Sequence, residues 1–251
     1  MPETHSGSVV SQPSRSGSVV AIVVGTLLFV LIVGLTSTGL RVLLQSHFSA
    51  TPRARATLAI TGSALGEIIL LFLLVYFLHG KGRSLRYLGL WRASPLRGWI
   101  VAAVVTALYL AATLMGALRG HAVLAEFSIF HIYNSLAAGI TAGFIEEFFF
   151  RGWIMAELSE SGFGKSVQVL LSGILFGFAH IGWGLLGGRV QGVAIAGAFV
   201  STSVLGLLYA ITYLASRRSL MPVVAGHVIM DVLIEPWLIL ATLSGTIMRP
   251  H

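Results

Sequence analysis

Long apolar blocks dominate this sequence and limit the folds that it can adopt. Hydrophobic residues make up 56% of the 251 residues, and charged residues make up only 10%. A soluble domain carries about 25% charged residues. Each apolar block is long enough to cross a bilayer as a helix, which takes about 20 residues. The sequence therefore predicts an integral membrane protein, an all-α polytopic bundle of about seven transmembrane helices.

The domain organisation follows from the same pattern. Residues 1–17 are polar and rich in Ser, so they are predicted to form a flexible tail, and residues 18–251 are predicted to form a single transmembrane domain. Residues 119–135 are mixed in character and are predicted to hold a short interfacial helix. Pro236 is expected to kink or split the last helix. The predicted spans are 19–40, 57–78, 99–118, 136–160, 167–186, 193–215 and 223–243.

The net charge of +7 comes mainly from cations in short loops between the apolar blocks. Their distribution favours an N-terminus in the cytoplasm. No basic run carries the interleaved aromatic residues that nucleic-acid binding requires. The absence of Cys excludes thiolate metal sites and Cys nucleophiles.

Ionisable residues at membrane depth mark the predicted functional site. A charge at the centre of a membrane helix costs roughly 2.5 kcal/mol or more, and such residues usually face the bundle interior. Three predicted helices carry such groups within their apolar spans, and the residues are Glu146, Glu147, Arg151, His180, His227 and Asp231. Glu67 in the second helix is predicted to make a packing hydrogen bond.

Helical spacing sorts these residues into roles. Glu147 and Arg151 are four apart, so they share a face and are predicted to form a structural ion pair. Glu146 has Phe150 at the corresponding position and no partner on its own helix, which suits a proton acceptor. His227 and Asp231 are also four apart, so Asp231 could accept from the His227 ring and fix its tautomer.

Three motifs resemble those of the CPBP intramembrane proteases, the family that includes the CAAX prenyl endopeptidases. The motifs are Glu146-Glu147-x-x-x-Arg151, Phe176-x-x-x-His180 and His227-x-x-x-Asp231, all within 136–240. The resemblance implies a CAAX prenyl endopeptidase-like fold and hydrolysis of a peptide bond in a membrane-embedded or membrane-anchored substrate. It further implies that Glu146 and His180 activate a water, that His227 holds the oxyanion, and that Glu147 with Arg151 braces the site.

One residue departs from the family pattern. The prenyl endopeptidases have Asn where this chain has Asp231, and an ionised Asp cannot donate to an oxyanion. Asp231 must then be protonated, orient His227 or bind a metal. The two His residues with the carboxylates also form a possible Zn²⁺ ligand set, made of Glu146, His180, His227 and Asp231. The sequence therefore leaves open both a metal-free and a metal-dependent mechanism.

Two other functions fit the same residues. The chain could keep the fold without turnover, as a membrane immunity or scaffold protein. Buried carboxylates and His also build relays, so a proton or ion carrier is the second alternative. A carrier requires a polar path through the bundle, whereas the sequence indicates a cluster.

Overall fold

The computed structural model describes residues 14–44, 47, 51–119, 129–186 and 193–244. That part of the chain is helical throughout its regular structure and contains no strand, which confirms the all-α prediction. The elements in chain order are α1 (Arg15–Leu44), α2 (Pro52–Gly80), a 3₁₀ turn (Leu85–Leu88), α3 (Leu96–Arg119), α4 (Ile129–Glu147), a π segment (Phe148–Ile154), α5 (Met155–Glu160), α6 (Lys165–Leu186), α7 (Val193–Ala215) and α8 (Met221–Ser244).

The helices form a transmembrane bundle. Within the described residues, α1, α2, α3, α6 and α7 are each long and apolar enough to cross a bilayer. The described side chains of α8 give a shorter apolar stretch, Met221–Ile234. The seventh long stretch joins α4, the π segment and α5 without a break and carries the charged cluster. These seven stretches correspond to the seven predicted spans, and the chain is an integral membrane protein.

Several boundaries differ from the prediction. Helix α1 begins at Arg15, so the last residues of the predicted tail are helical, while 1–13 lie outside the described residues. Helix α4 begins at Ile129, so the end of the predicted interfacial segment belongs to a long helix, and 120–128 lie outside the described residues. Helix α8 runs through Pro236, so the helix is not split there.

The π segment interrupts what the sequence predicts as one regular helix. All seven of its residues are buried, including Phe149, Phe150 and Trp153. The Phe149 ring centroid lies 5.0 Å from that of Trp153, and the Phe150 centroid lies 5.2 Å from that of Phe176 on α6. Large rings thus fill the space on more than one side of the segment. Single π turns within α-helices are frequent at functional sites.

Polar contacts join four parts of the chain at one end of the bundle, called the basic end here. Arg15 Nε donates to Ser161 O at 3.1 Å, which links the start of α1 to the turn before α6. The backbone N of Leu220, just before α8, donates to Gly89 O at 3.2 Å. Lys81 after α2 pairs with the fully buried Glu157 of α5 at 3.1 Å. The start of α1, the connection between α2 and α3, and the turns before α6 and α8 therefore lie at the same end of the bundle.

Candidate active site

Close packing of α4 against α8 sets the position of the first two site residues. A Cβ at Gly143 would lie 2.5 Å from Cγ2 of Val228, so only glycine allows this approach. Small residues at helix interfaces let membrane helices pack closely in this way. The contact falls one turn before Glu146 and Glu147 and next to His227 on α8. It therefore brings the paired carboxylates and this histidine within reach of each other.

Glu146 occupies the centre of the site. Its side chain is buried, and Oε2 lies 3.9 Å from Nε2 of His180 and 3.9 Å from Nε2 of His227. Among the described residues this oxygen has no hydrogen-bond partner. A buried carboxylate oxygen without a protein partner is costly unless water or substrate binds it. The residues of the three motifs, from three different helices, thus converge around one carboxylate.

Glu147 and Arg151 form the buried ion pair that the sequence predicts. Arg151 Nη1 lies 2.8 Å from Glu147 Oε1, and both side chains are fully buried. Arg151 Nη2 also donates to Gly206 O of α7 at 3.0 Å. The guanidinium lies over the Phe176 ring, 4.4 Å from its centroid, which adds a cation–π contact. This pair joins α4 and the π segment to α6 and α7 behind the cavity.

The carboxylate of Glu147 also orients His227. His227 Nδ1 lies 2.8 Å from Glu147 Oε1, and a carboxylate that already binds Arg151 accepts the ring N–H. The sequence predicts that Asp231 could accept from the ring of His227, without specifying which nitrogen donates. Asp231 Oδ2 instead lies 3.4 Å from Nε2, on the other side of the ring. The difference arises because His227 reaches across the helix interface to α4.

The ring of His180 presents one nitrogen to the cavity. Its Nδ1 donates to Phe176 O at 2.9 Å, since a carbonyl oxygen can only accept. In the neutral ring the remaining nitrogen, Nε2, then carries a lone pair on the side of Glu146. A third of the His180 side chain is exposed, compared with 4% for His227. His180 therefore lies on the open side of the site.

A cavity of about 200 Å³ connects these residues. Its wall is mostly apolar, and Glu146, His180, His227 and Asp231 all line it. Glu67 of α2 lines the same cavity and is only 4% exposed, although the sequence analysis treated it as a packing residue. Its signal in the sequence was the same as that of Glu146: a carboxylate inside a long apolar block. The other polar residues of the wall are Ser63, Tyr109, Thr141 and Thr202.

The polar groups at the cavity include the ligand types of a metal centre. The chemistry of two His nitrogens and nearby carboxylates suits Zn²⁺. In the described part of the chain, however, no group of three or more His, Asp or Glu side chains is arranged to hold a metal ion. The metalloprotease alternative therefore has no support from the ligand geometry.

The segment that contains the site residues also matches a known protein family. Residues 127–233 match the sequence model of the type II CAAX prenyl endopeptidase Rce1-like family. This segment is similar to that family, and the match covers less than half of the chain. It contains every motif residue from Glu146 to Asp231, and it confirms the CPBP resemblance. The Rce1-like match supports a protease kind of function. No curated protein and no solved structure matches the chain.

Proposed function

We propose that this protein is an intramembrane endopeptidase that hydrolyses a peptide bond of a membrane-associated peptide or protein. One observation carries the proposal: Oε2 of Glu146 lies 3.9 Å from Nε2 of both His180 and His227, at the wall of one cavity. A gap of this size, bordered by three polar groups, suits one water molecule. The Rce1-like match over the same residues supports the reaction class.

The first step is attack by this water. Glu146 acts as the general base: its Oε2 accepts a proton from the water while the water oxygen bonds to the carbonyl carbon of the substrate. The lone pair on His180 Nε2 accepts a hydrogen bond from the second water hydrogen, which orients the nucleophile. The apolar wall of the cavity excludes other water and strengthens these interactions.

The second step is stabilisation of the tetrahedral oxyanion and loss of the amine. His227 Nδ1 already donates to Glu147, so its Nε2 can donate to the oxyanion only when the ring is an imidazolium. Glu147 at Nδ1 and Asp231, 3.4 Å from Nε2, are the carboxylates that can accept from such a ring. The proton on Glu146 then passes to the amide nitrogen, the C–N bond breaks, and the carboxylate is regenerated.

No step of this mechanism uses a metal. Should Zn²⁺ bind, Glu146, His180, His227 and Asp231 are the residues that would hold it, and the ion would supply Lewis-acid polarisation of a carbonyl or of water. We place the protein in the bacterial cytoplasmic membrane with the basic end in the cytoplasm, in line with the distribution of loop cations.

A carrier function is a weaker fit. On the helix that carries Glu146, the residues between Arg151 and Glu157 separate the cavity from the basic end. Among these, Trp153, Ile154 and Met155 are at most 3% exposed and apolar. Proton flux in reconstituted vesicles without any peptide cleavage would favour the carrier.

The test is substrate capture followed by turnover. Membrane peptides that accumulate in cells carrying Glu146→Gln, compared with cells carrying the wild type, identify candidate substrates. The purified wild type should cleave them, while Glu146→Ala and His180→Ala should insert into the membrane normally and show no cleavage. The matched control is Glu160→Gln, a carboxylate of the basic end, which should cleave normally. Turnover at the wild-type rate in either site variant would reject the mechanism.

A further inference from the structure

A groove at the basic end is lined by basic and aromatic side chains that have no role in the proposed reaction. Arg86, Trp91 and Arg92, in the connection between α2 and α3, line this groove. All three side chains are exposed, and Trp91 is 65% exposed. Two guanidinium groups beside one large ring therefore border a shared space that the cavity of the active site does not reach.

The two arginines lack the acidic partners that their neighbours have. Lys81 and Arg83 both pair with Glu157, and Arg83 also pairs with Glu160. These two carboxylates are the acidic groups that the structure describes at this end. Within the described part of the chain, neither Arg86 nor Arg92 forms an ion pair or a side-chain hydrogen bond. Two uncompensated guanidinium groups on one groove attract an anion, and their planar forks match phosphate oxygens.

The position of the groove indicates which anion is available. It lies between Gly80, where α2 ends, and Leu96, where α3 begins, and both helices are apolar enough to span the membrane. Leu96 is 74% exposed, close in sequence to the exposed Trp91. Trp side chains favour the headgroup level of a bilayer, and basic residues there attract anionic lipids. We propose that Arg86, Trp91 and Arg92 form a binding site for the phosphate headgroup of an anionic phospholipid.

Contacts beneath the groove connect it to the rest of the fold. Leu88 is fully buried, and its carbonyl accepts from Tyr213 Oη of α7 at 3.4 Å. Gly89 has φ of +90°, and its carbonyl accepts from Leu220 N immediately before α8. A lipid that bridges Arg86 and Arg92 thus ties the two residues that flank this anchored turn. Binding should therefore raise the melting temperature of the whole protein, because only the folded chain forms the groove.

The experiment measures lipid binding directly and does not need peptide cleavage. Full-length protein in neutral detergent is titrated with short-chain phosphatidylglycerol, with phosphatidylcholine of the same chain length, and with inorganic phosphate. The affinity and the melting temperature are recorded for each. The wild type should prefer phosphatidylglycerol, and Arg86→Gln/Arg92→Gln should bind it about 25-fold more weakly, since each surface arginine contributes about fivefold.

The matched control removes the same charge from the same end of the bundle. Lys165, the first residue of α6, and Arg217, in the turn before α8, are exposed, so Lys165→Gln/Arg217→Gln should keep nearly the full affinity. Without lipid, both double variants should melt like the wild type, because none of the four side chains has a described partner. Trp91→Ala should weaken lipid binding and leave the response to inorganic phosphate unchanged.

Three results would overturn the proposal. The first is equal binding of the two lipids by the wild type. The second is an equal loss in both double variants, which would indicate a diffuse surface charge and no site. The third is displacement of the lipid by inorganic phosphate at the same concentration, which would indicate a site for the free ion. Because binding is read without turnover, failure here leaves the proposed hydrolysis untouched.

Discussion

Glu147 of α4 accepts a hydrogen bond from His227 of α8 at 2.8 Å, and the acceptor is the same oxygen, Oε1, that pairs with Arg151. One carboxylate thus neutralises a buried guanidinium and fixes the ring of a proposed catalytic histidine. Removing the carboxylate should therefore have two effects. Loss of the pair with Arg151 should lower the stability of the fold, and loss of the hydrogen bond from His227 should lower the rate of cleavage.

Replacing Glu147 should separate these two contributions. Glu147→Met leaves Arg151 buried without its partner, which should lower the free energy of unfolding by about 3–5 kcal/mol. Glu147→Met/Arg151→Met removes both charges and should recover most of this loss. Turnover should stay low in both variants, because His227 Nδ1 has lost its acceptor. Unfolding in detergent gives the first quantity, and cleavage of a captured substrate gives the second. Recovery of turnover together with stability would show that Glu147 does not orient His227.

His227→Ala should lower kcat by about 10²–10³ and leave KM nearly unchanged, as expected when an oxyanion donor is removed. The measurement is steady-state cleavage by protein that is inserted and melts like the wild type. His131 offers a matched control, since it is buried on the same helix as Glu146 but does not line the cavity. Full activity in His227→Ala would remove this residue from the mechanism.

Asp231 should tolerate the residue that the prenyl endopeptidases carry. Asp231→Asn keeps a polar group near His227 Nε2 and supplies an amide that can donate to an oxyanion, so turnover should stay within about tenfold of the wild type. Asp231→Ala should lose more than Asp231→Asn under the same conditions. If the two substitutions reduce kcat equally, the reaction depends on the negative charge of Asp231 and not on its hydrogen-bonding capacity.

The α4–α8 contact should be sensitive to a single methyl group. Gly143→Ala places a Cβ within 2.5 Å of Val228, and this overpacking should cost about 1–3 kcal/mol of stability and reduce turnover. Gly39→Ala is the control, because no atom lies within 4 Å of its added Cβ. Combining Gly143→Ala with Val228→Ala should restore part of both losses. An unchanged melting temperature for Gly143→Ala would contradict the close approach of these helices.

Chelation should leave the reaction unaffected. Because the described residues hold no arrangement that suits a metal ion, turnover after treatment with a chelator should stay within about twofold of the untreated rate. Metal analysis of the same purified protein should give well below one equivalent. A loss of activity that added Zn²⁺ restores would establish the metal-dependent alternative.

The features that could be predicted from the sequence depend on residue spacing along one helix and on the free-energy cost of placing charges in a membrane. Glu146, His180 and His227 could be selected from the sequence because each charged or polar group in an apolar block carries an insertion penalty. The Glu147–Arg151 pair followed from the helical period, which relates residues on one helix. Glu146, His180 and His227 do line one cavity, and Glu147 does pair with Arg151.

The parts that were missed depend on contacts between helices. The partner of His227 Nδ1 is on α4, so an i, i+4 rule applied to α8 selected Asp231 instead. Glu157 reads as an ordinary helix-end carboxylate, yet it is fully buried because Lys81 and Arg83 fold over it. Glu67 also lines the cavity, which its own helix does not show because the orientation of α2 depends on the neighbouring helices.

The π segment has a consequence for how this chain can change in length. Its wider turns set the rotation between the part of the helix that carries Glu146 and the part that carries Glu157. Losing one codon within 148–154 would turn everything after it by about 100°, the rotation per residue of an α-helix. Glu157 would then swing away from its two cations while Glu146 stayed in place. Insertions and deletions should therefore be selected against in this short run far more strongly than in the loops at either end of the bundle.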